Sequence, residues 1–372
     1  MNLLWLTENY YPDRGGMSES CDRITYFLRK SGVTLHIFHF TNRIQPFFTE
    51  KILKNGSYTS LPLGNDLEHS YNLIKIHLED FLKSKKIDAI VAFGGIHPVF
   101  LGPIFSDFFQ IPLLTFFRGN DFDTSIFSHR KRESVLHCIK KSKLILVNSR
   151  TKQRYISNLN PESDVAFVPN GIDIKNWNAT PGDLESSKGI RKEFPDSNPI
   201  LGLFGQLKTK KGVPFFLESV LSIQKQAFSF LIIGELDEEI ESIFISNHLS
   251  YKKLTFSKRE SLVPYYLSCD AIALPSYYEG MPNVLIEASA LGIPTIGSSV
   301  DGISDFFEDF EIHFLFKPGD RETCKTALLR FIQSDKTVLS KHSEKLKSKI
   351  RAEHTAEKEA EMILLKMNSV LN

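Results

Sequence analysis

The residues of this chain most able to do chemistry fall in the stretch 274–292, which reads Leu-Pro-Ser-Tyr-Tyr-Glu-Gly-Met-Pro-Asn-Val-Leu-Ile-Glu-Ala-Ser-Ala-Leu-Gly. An apolar run ends at Pro275, a polar turn follows, and a helix begins near Pro282, where a residue lacking its N–H costs nothing. Gly292 ends that helix. The backbone amides of roughly Met281 to Leu285 then lack intrahelical partners and form a site for an anion such as phosphate. Glu279 lies in the turn and Glu287 about four residues after Asn283, so both carboxylates can flank one ligand. A carboxylate accepts two hydroxyl hydrogen bonds from a vicinal diol, the group that a ribose or a sugar ring presents.

Other clusters are scattered along the chain. Tyr10-Tyr11-Pro12-Asp13-Arg14-Gly15-Gly16 is a glycine turn, and Phe204-Gly205-Gln206-Leu207-Lys208-Thr209-Lys210-Lys211-Gly212 is a lysine-rich one. Phe117-Arg118-Gly119-Asn120-Asp121, Pro169-Asn170-Gly171-Ile172-Asp173 and Ser299-Val300-Asp301-Gly302-Ile303 complete the set. Taken singly, each reads as surface charge or an ordinary turn. His36, His39, His97 and His137 have no paired spacing and are expected in core or surface positions. Phe47-Phe48 is expected to be buried under its loop. Asp121-Phe122-Asp123 has the letters of a metal-binding pair but continues the Arg118 loop instead of ending a strand, so no metal site is expected. Cys21, Cys138, Cys269 and Cys324 are too far apart for a CxxC pair, which suits a reducing compartment.

The elements that must position these residues alternate in type. Short apolar runs at 2–6, 33–40, 88–93, 111–116, 144–147 and 165–168, then at 200–204, 228–233, 253–256, 271–274, 294–297 and 313–316, suit strands buried on both faces. Helical patterns lie between them; Met17, Cys21, Ile24 and Leu28 share one face, and Gly32 stops that helix. Alternating strand and helix predicts an α/β fold with parallel sheets. Residues 89–106 carry no charge, but Gly94, Gly95, Pro98, Gly102 and Pro103 predict a strand, a turn and a helix start instead of a membrane span. Residues 176–199, with three prolines and two glycines, read as a linker between a domain at 1–175 and another at 200–350. Residues 351–372 read as a helix, with Met362, Leu365 and Val370 as its apolar stripe, packing back on the first domain. Ligands of such a pair are expected in a cleft at the carboxyl ends of the strands.

A length of 372 residues allows two domains with real cores. With 45 Lys and Arg against 44 Asp and Glu, the formal charge of +1 supplies no global field for a polyanion, so nucleic acid is not an expected partner. The first residues show neither a basic leader nor an apolar stretch long enough for export.

In their order, these clusters resemble the motifs of retaining glycosyltransferases of family 4, the group 1 glycosyl transferases with the GT-B fold. That resemblance implies two Rossmann-like parallel-sheet domains facing each other across a cleft, the first for the acceptor and the second for a nucleotide-diphosphate-sugar. It implies that Glu287 binds the ribose hydroxyls, that Glu279 contacts the donor sugar or its phosphate, and that Lys211 neutralises the diphosphate. Gly15, Gly16, Gln206, Lys208 and the main chain at Gly280, Met281, Asn283 and Val284 would line the donor, with Glu279, Lys211 and Arg118 as the catalytic set. The implied reaction is hexosyl transfer with retention, without a metal or other cofactor, from a UDP- or GDP-sugar to a glycan, lipid-linked or small-molecule acceptor. The implied setting is polysaccharide or glycoconjugate assembly in the cytoplasm, at the inner face of the membrane, with at most weak peripheral contact. A GT-B-type nucleotide-sugar epimerase and a noncatalytic nucleotide-sugar-binding subunit are the alternatives. Two positions depart from the family pattern: Gln206 stands where Arg is usual, and Arg118 where His is often found. A guanidinium cannot act as a base and pairs instead with a carboxylate or phosphate, so Arg118 carries the expectation of an acidic donor sugar or an altered diphosphate contact.

Overall fold

The structure, a computed structural model, describes residues 1–13, 15–42, 50–223, 228–255 and 261–371. The chain divides into two compact units, one formed by Met1–Pro169 with Glu357–Asn372, the other by Asn170–Ala356. Arg14 of the glycine turn and the Phe47-Phe48 pair lie outside the described residues.

The first unit is built on β1 (Asn2–Thr7), β2 (Thr34–Thr41), β3 (Glu50–Leu53), β4 (Gly56–Pro62), β5 (Ala89–Phe93), β6 (Leu113–Phe117), β7 (Ser142–Val147) and β8 (Asp164–Phe167). Their order across the sheet is β3-β4-β2-β1-β5-β6-β7-β8, parallel except for β3, which runs antiparallel to β4. Strand β5 is buried along its whole length, and Leu3 of β1 sits between Leu35 of β2 and Ala89 of β5. Apolar residues on both faces of such strands force helices onto both sides of the sheet. The second unit carries β9 (Ile200–Leu207), β10 (Ser229–Leu236), β11 (Tyr251–Leu254), β12 (Ala271–Leu274), β13 (Thr295–Ser298) and β14 (Phe314–Phe316), in the order β11-β10-β9-β12-β13-β14 and wholly parallel. In each sheet the chain builds outward from one strand, then crosses to that strand's other side. The reversal falls between β1 and β5 in the first unit and between β9 and β12 in the second.

Most expected strands form within a residue or two of their predicted bounds. The uncharged stretch 89–106 folds as β5, a Gly94-Gly95 turn and the start of helix His97–Phe109. Among the described residues no helix is long and apolar enough to cross a membrane. All four cysteines are free and buried, and burial pushes the thiols of Cys21, Cys138 and Cys324 up to about 12.

Three expectations need correction. The stretch 176–199 is not a broken linker: helix Pro181–Arg191 occupies it, with Thr180 and Asp183 forming a reciprocal capping box. Pro181 opens that helix instead of breaking the chain, because the first helical position needs no N–H. The boundary between units falls earlier, at Pro169 and Asn170. A β3–β4 hairpin was missed because Ser57, Thr59 and Ser60 are buried polar residues that hide the strand signal. The last helix, Ala356–Leu371, belongs to the first unit from Glu357 onward, but it buries Ala356, Ala360, Ile363 and Met367, whereas Leu365 is exposed.

One buried base gives the second unit a pH dependence. His342, in helix Lys336–Glu353, lies among the rings of Phe307, Phe310 and Phe314, and burial pushes its imidazole down to about 4. The unfolded imidazole takes up its proton near 6.5, so stability is full above that value and falls as the pH drops from 6.5 towards 4, by an amount on the order of 3 kcal/mol. Thermal unfolding across this window should show the fall, and His342→Phe should remove His342's share of it.

Candidate active site

The turns that carry the candidate chemistry in the second unit leave β9 and β12, the two strands at its reversal point. Crossovers from such strands depart on opposite sides of the sheet and leave an open crevice at the carboxyl ends. From β9 the chain enters a turn of 3-10 helix, Thr209–Lys211, and then Gly212 with φ of 63°. A Cβ at Gly212 would lie 2.2 Å from the carbonyl oxygen of Pro275, so only glycine lets the lysine turn lie this close to the end of β12. The Tyr277 amide donates to the Lys210 carbonyl at 3.0 Å, and the Lys210 ammonium stands 5.6 Å from the Tyr278 ring centroid.

This close approach brings Lys211 and Glu279 together, with Nζ 2.5 Å from Oε2 and both side chains mostly buried. Ser276 Oγ lies 3.4 Å from the same carboxylate oxygen, and the Glu279 amide points at Asp301 Oδ2 at 3.4 Å. Helix Asn283–Leu291 begins four residues after Glu279, with Pro282 as its cap and left-handed Gly292 as its stop. The Asn170 side-chain amide donates to the Met281 carbonyl at 2.6 Å and to Asn283 Oδ1 at 3.0 Å, while the Asn170 carbonyl meets His354 Nδ1 at 3.0 Å. The turn containing Gly280 and Met281 is thereby tied down by Asn170. Val284 follows in the first turn of the helix.

Glu287 is buried one turn into that helix, and the Tyr266 hydroxyl donates to its Oε2 at 2.6 Å. Tyr266 is held edge-on by Phe204 at 4.5 Å and Trp177 at 5.3 Å, which fixes the direction of its hydroxyl. Sequence reasoning missed Tyr266, and nothing around it signals the role: it sits on the short helix Val263–Leu267, 21 residues before its partner. Asn170 and Asp301 lay inside recognised motifs without an assigned task. Gln206, near the end of β9, and Lys208, just beyond it, are exposed.

The remaining expected residues belong to the first unit. Gly15, with φ of 125°, precedes helix Gly16–Lys30 and accepts the Glu19 amide at 3.0 Å. Arg118 is buried: its Nη2 lies 2.5 Å from Oε1 of Glu359, whose Oε2 is 2.8 Å from Nε of Arg23. Burial would raise the Glu359 carboxyl, but the guanidiniums of Arg23 and Arg118 hold it below the usual carboxylate range. Asp121 takes the Arg118 amide at 3.0 Å and the Gly119 amide at 2.6 Å, and Asp123 pairs with Lys152 at 3.1 Å. The carboxylate partner expected of Arg118 is therefore internal, which removes the ground for reading an acidic donor sugar from this residue. Among the described residues no group of three or more His, Cys, Asp or Glu side chains is placed to hold a metal ion.

Family models agree with this geometry. Residues 14–176 match Glycosyltransferase Family 4, and residues 188–353 match Glycosyl transferases group 1. The chain belongs to this family of GT-B glycosyltransferases. It is 25% identical over 243 residues to a putative teichuronic acid biosynthesis glycosyltransferase of Bacillus subtilis, across 61% of this chain and 57% of that protein. Two solved structures share the fold of this chain. Sucrose-phosphate synthase from Thermosynechococcus elongatus has a TM-score of 0.84 at 16% identity, covering 99% of both chains. Anabaena HepE in complex with UDP-glucose has a TM-score of 0.80 at 17% identity, covering 99% of this chain and all of that one.

Removing Glu359 would leave two guanidiniums buried together. Glu359→Gln should cost about 3–5 kcal/mol in denaturant unfolding of the first unit, whereas loss of an exposed pair such as Lys83–Asp80 should cost under about 1 kcal/mol.

Proposed function

We propose that the chain moves a hexosyl group, with retention at the anomeric carbon, from a nucleotide-diphosphate-sugar to a glycan, lipid-linked or small-molecule acceptor. The observation that carries this reading is the Lys211–Glu279 pair, set beside a helix N-terminus at the reversal point of the second sheet. Such a site offers an anion a cation beside the positive end of a helix dipole. The donor diphosphate would take Lys211, the sugar hydroxyls would meet Glu279 and the turn at Gly280 and Met281, and the ribose diol would meet Glu287. Tyr266 would hold that carboxylate in place.

Breaking the anomeric bond builds negative charge on the leaving diphosphate. Lys211 and the first-turn amides are already positioned to meet it, so little reorganisation is needed as the charge appears. The leaving phosphate would take the acceptor's proton as the acceptor oxygen bonds to the anomeric carbon, which replaces a protein base, and the diphosphate charge is assigned to Lys211 and the helix N-terminus instead of a metal. The likeness to HepE in its UDP-glucose complex supports a UDP-sugar donor. The teichuronic acid relative supports polysaccharide assembly as the setting, and the place we propose for it is the cytoplasmic side of the membrane, with weak peripheral contact.

Glu287→Ala should weaken UDP binding about tenfold to a hundredfold, the cost of losing charge-assisted hydrogen bonds worth about 1.5–3 kcal/mol. Calorimetry on the folded variant checks this, and unchanged affinity would remove Glu287 from the site. With UDP-glucose and a reactive acceptor, the product's anomeric proton coupling should report retention, and chelator should leave the rate unchanged. Conversion of donor to another nucleotide sugar without acceptor would favour epimerisation instead.

A further inference from the structure

We propose that Glu8 and His97 form the subsite in the first unit that grips hydroxyls of the sugar receiving the transferred group, and that this sugar is a neutral glycan ring. The proposal rests on the glycosyl-transfer reading above but uses different residues.

Glu8 directly follows β1, and Gly94-Gly95-Ile96-His97 directly follows β5. These are the strands at which the first sheet reverses, the position that Lys211 and Glu279 occupy in the second. One Glu8 oxygen, Oε2, accepts the His97 amide at 3.0 Å. A Cβ on Gly95 would lie 2.5 Å from Cδ of Glu8 and 2.7 Å from Oε1, so a side chain at residue 95 would push the carboxylate from its present place. His97 is fixed in turn. Its Nδ1 is 2.8 Å from the Tyr71 hydroxyl, and its ring packs 5.9 Å from those of Tyr71 and Phe40.

A helix cap alone does not account for this arrangement. Capping needs one acceptor near an amide, usually from the residue just before the helix. Here the acceptor comes from the residue just after β1, 89 positions earlier, and the first helical side chain is locked by a tyrosine from a third element, helix Leu67–Ser84. With Nδ1 accepting the Tyr71 proton, the neutral imidazole presents an N–H at Nε2, and burial, which lowers the His97 pKa against the pull of Glu8, favours that neutral form. A donor beside a carboxylate acceptor matches the two faces of a sugar hydroxyl. The carboxylate disfavours phosphate or uronate. Ile96 and Phe100, both exposed, add apolar surface beside these polar atoms for the C–H face of a ring.

Saturation-transfer NMR with the methyl glycosides of glucose, galactose, N-acetylglucosamine and glucuronic acid tests the proposal. UDP affinity is measured by calorimetry on the same samples. At least one neutral glycoside should give a saturable response in the unsubstituted protein, exceed the glucuronide, and weaken about tenfold or more in Glu8→Gln and in His97→Gln. UDP affinity should stay within about twofold in both variants and fall in Lys211→Ala, which should leave glycoside binding intact. Tyr71→Phe removes one hydroxyl and little packing, and should weaken the glycoside severalfold even if another variant fails to fold. The proposal is overturned by a response that Glu8→Gln and Tyr71→Phe leave unchanged, by no saturable response in the unsubstituted protein, or by preference for the glucuronide. Absence of UDP binding with the Glu8 dependence intact would instead defeat the donor reading alone.

Discussion

A parallel sheet that reverses its strand order cannot cover its own carboxyl edge at the point of reversal, because the two crossovers there leave in opposite directions. This constraint organises both units. Lys211 meets Glu279 beyond the strand ends at the reversal between β9 and β12, and Glu8 accepts the His97 amide at the reversal between β1 and β5. The strands supply rigidity through burial on both faces, and the turns supply the chemistry.

Within the second unit, short polar contacts hold the site's parts in place before any ligand arrives. Gly212 sets the distance between the lysine turn and the end of β12, Asn170 ties the Met281 turn, and Tyr266 aims the Glu287 carboxylate. A carboxylate already gripped on one side loses less freedom when it accepts a hydroxyl. The ion pair between Lys211 and Glu279 keeps two charges satisfied in a mostly buried setting and gives the ammonium a fixed direction.

The sequence made the parallel sheets legible because strands such as β5 and β12 are continuous apolar runs bounded by glycine or proline. It singled out Glu279, Lys211 and Glu287 because each lies in a short segment with its own pattern, and the structure pairs the first two. It hid what depends on distant pairing. Tyr266 and Glu287 are 21 residues apart and Arg118 and Glu359 are 241 apart, and no local periodicity connects them. Arg118 was therefore placed at the chemistry, although its guanidinium is committed to the last helix. The helix Pro181–Arg191 was hidden differently, since proline and glycine both start and stop structure and only the capping contact between Thr180 and Asp183 decides which.

The burial of Glu359 between Arg23 and Arg118 also bears on how the chain is made. Two cations from the first half of the chain wait for an anion that is translated more than 200 residues later, after the whole of the second unit. At about 5–20 residues per second, a ribosome needs more than ten seconds to deliver it. Until then Arg23 and Arg118 lack the carboxylate that joins them, so the amino-terminal unit reaches its final form only when almost the whole chain has been made.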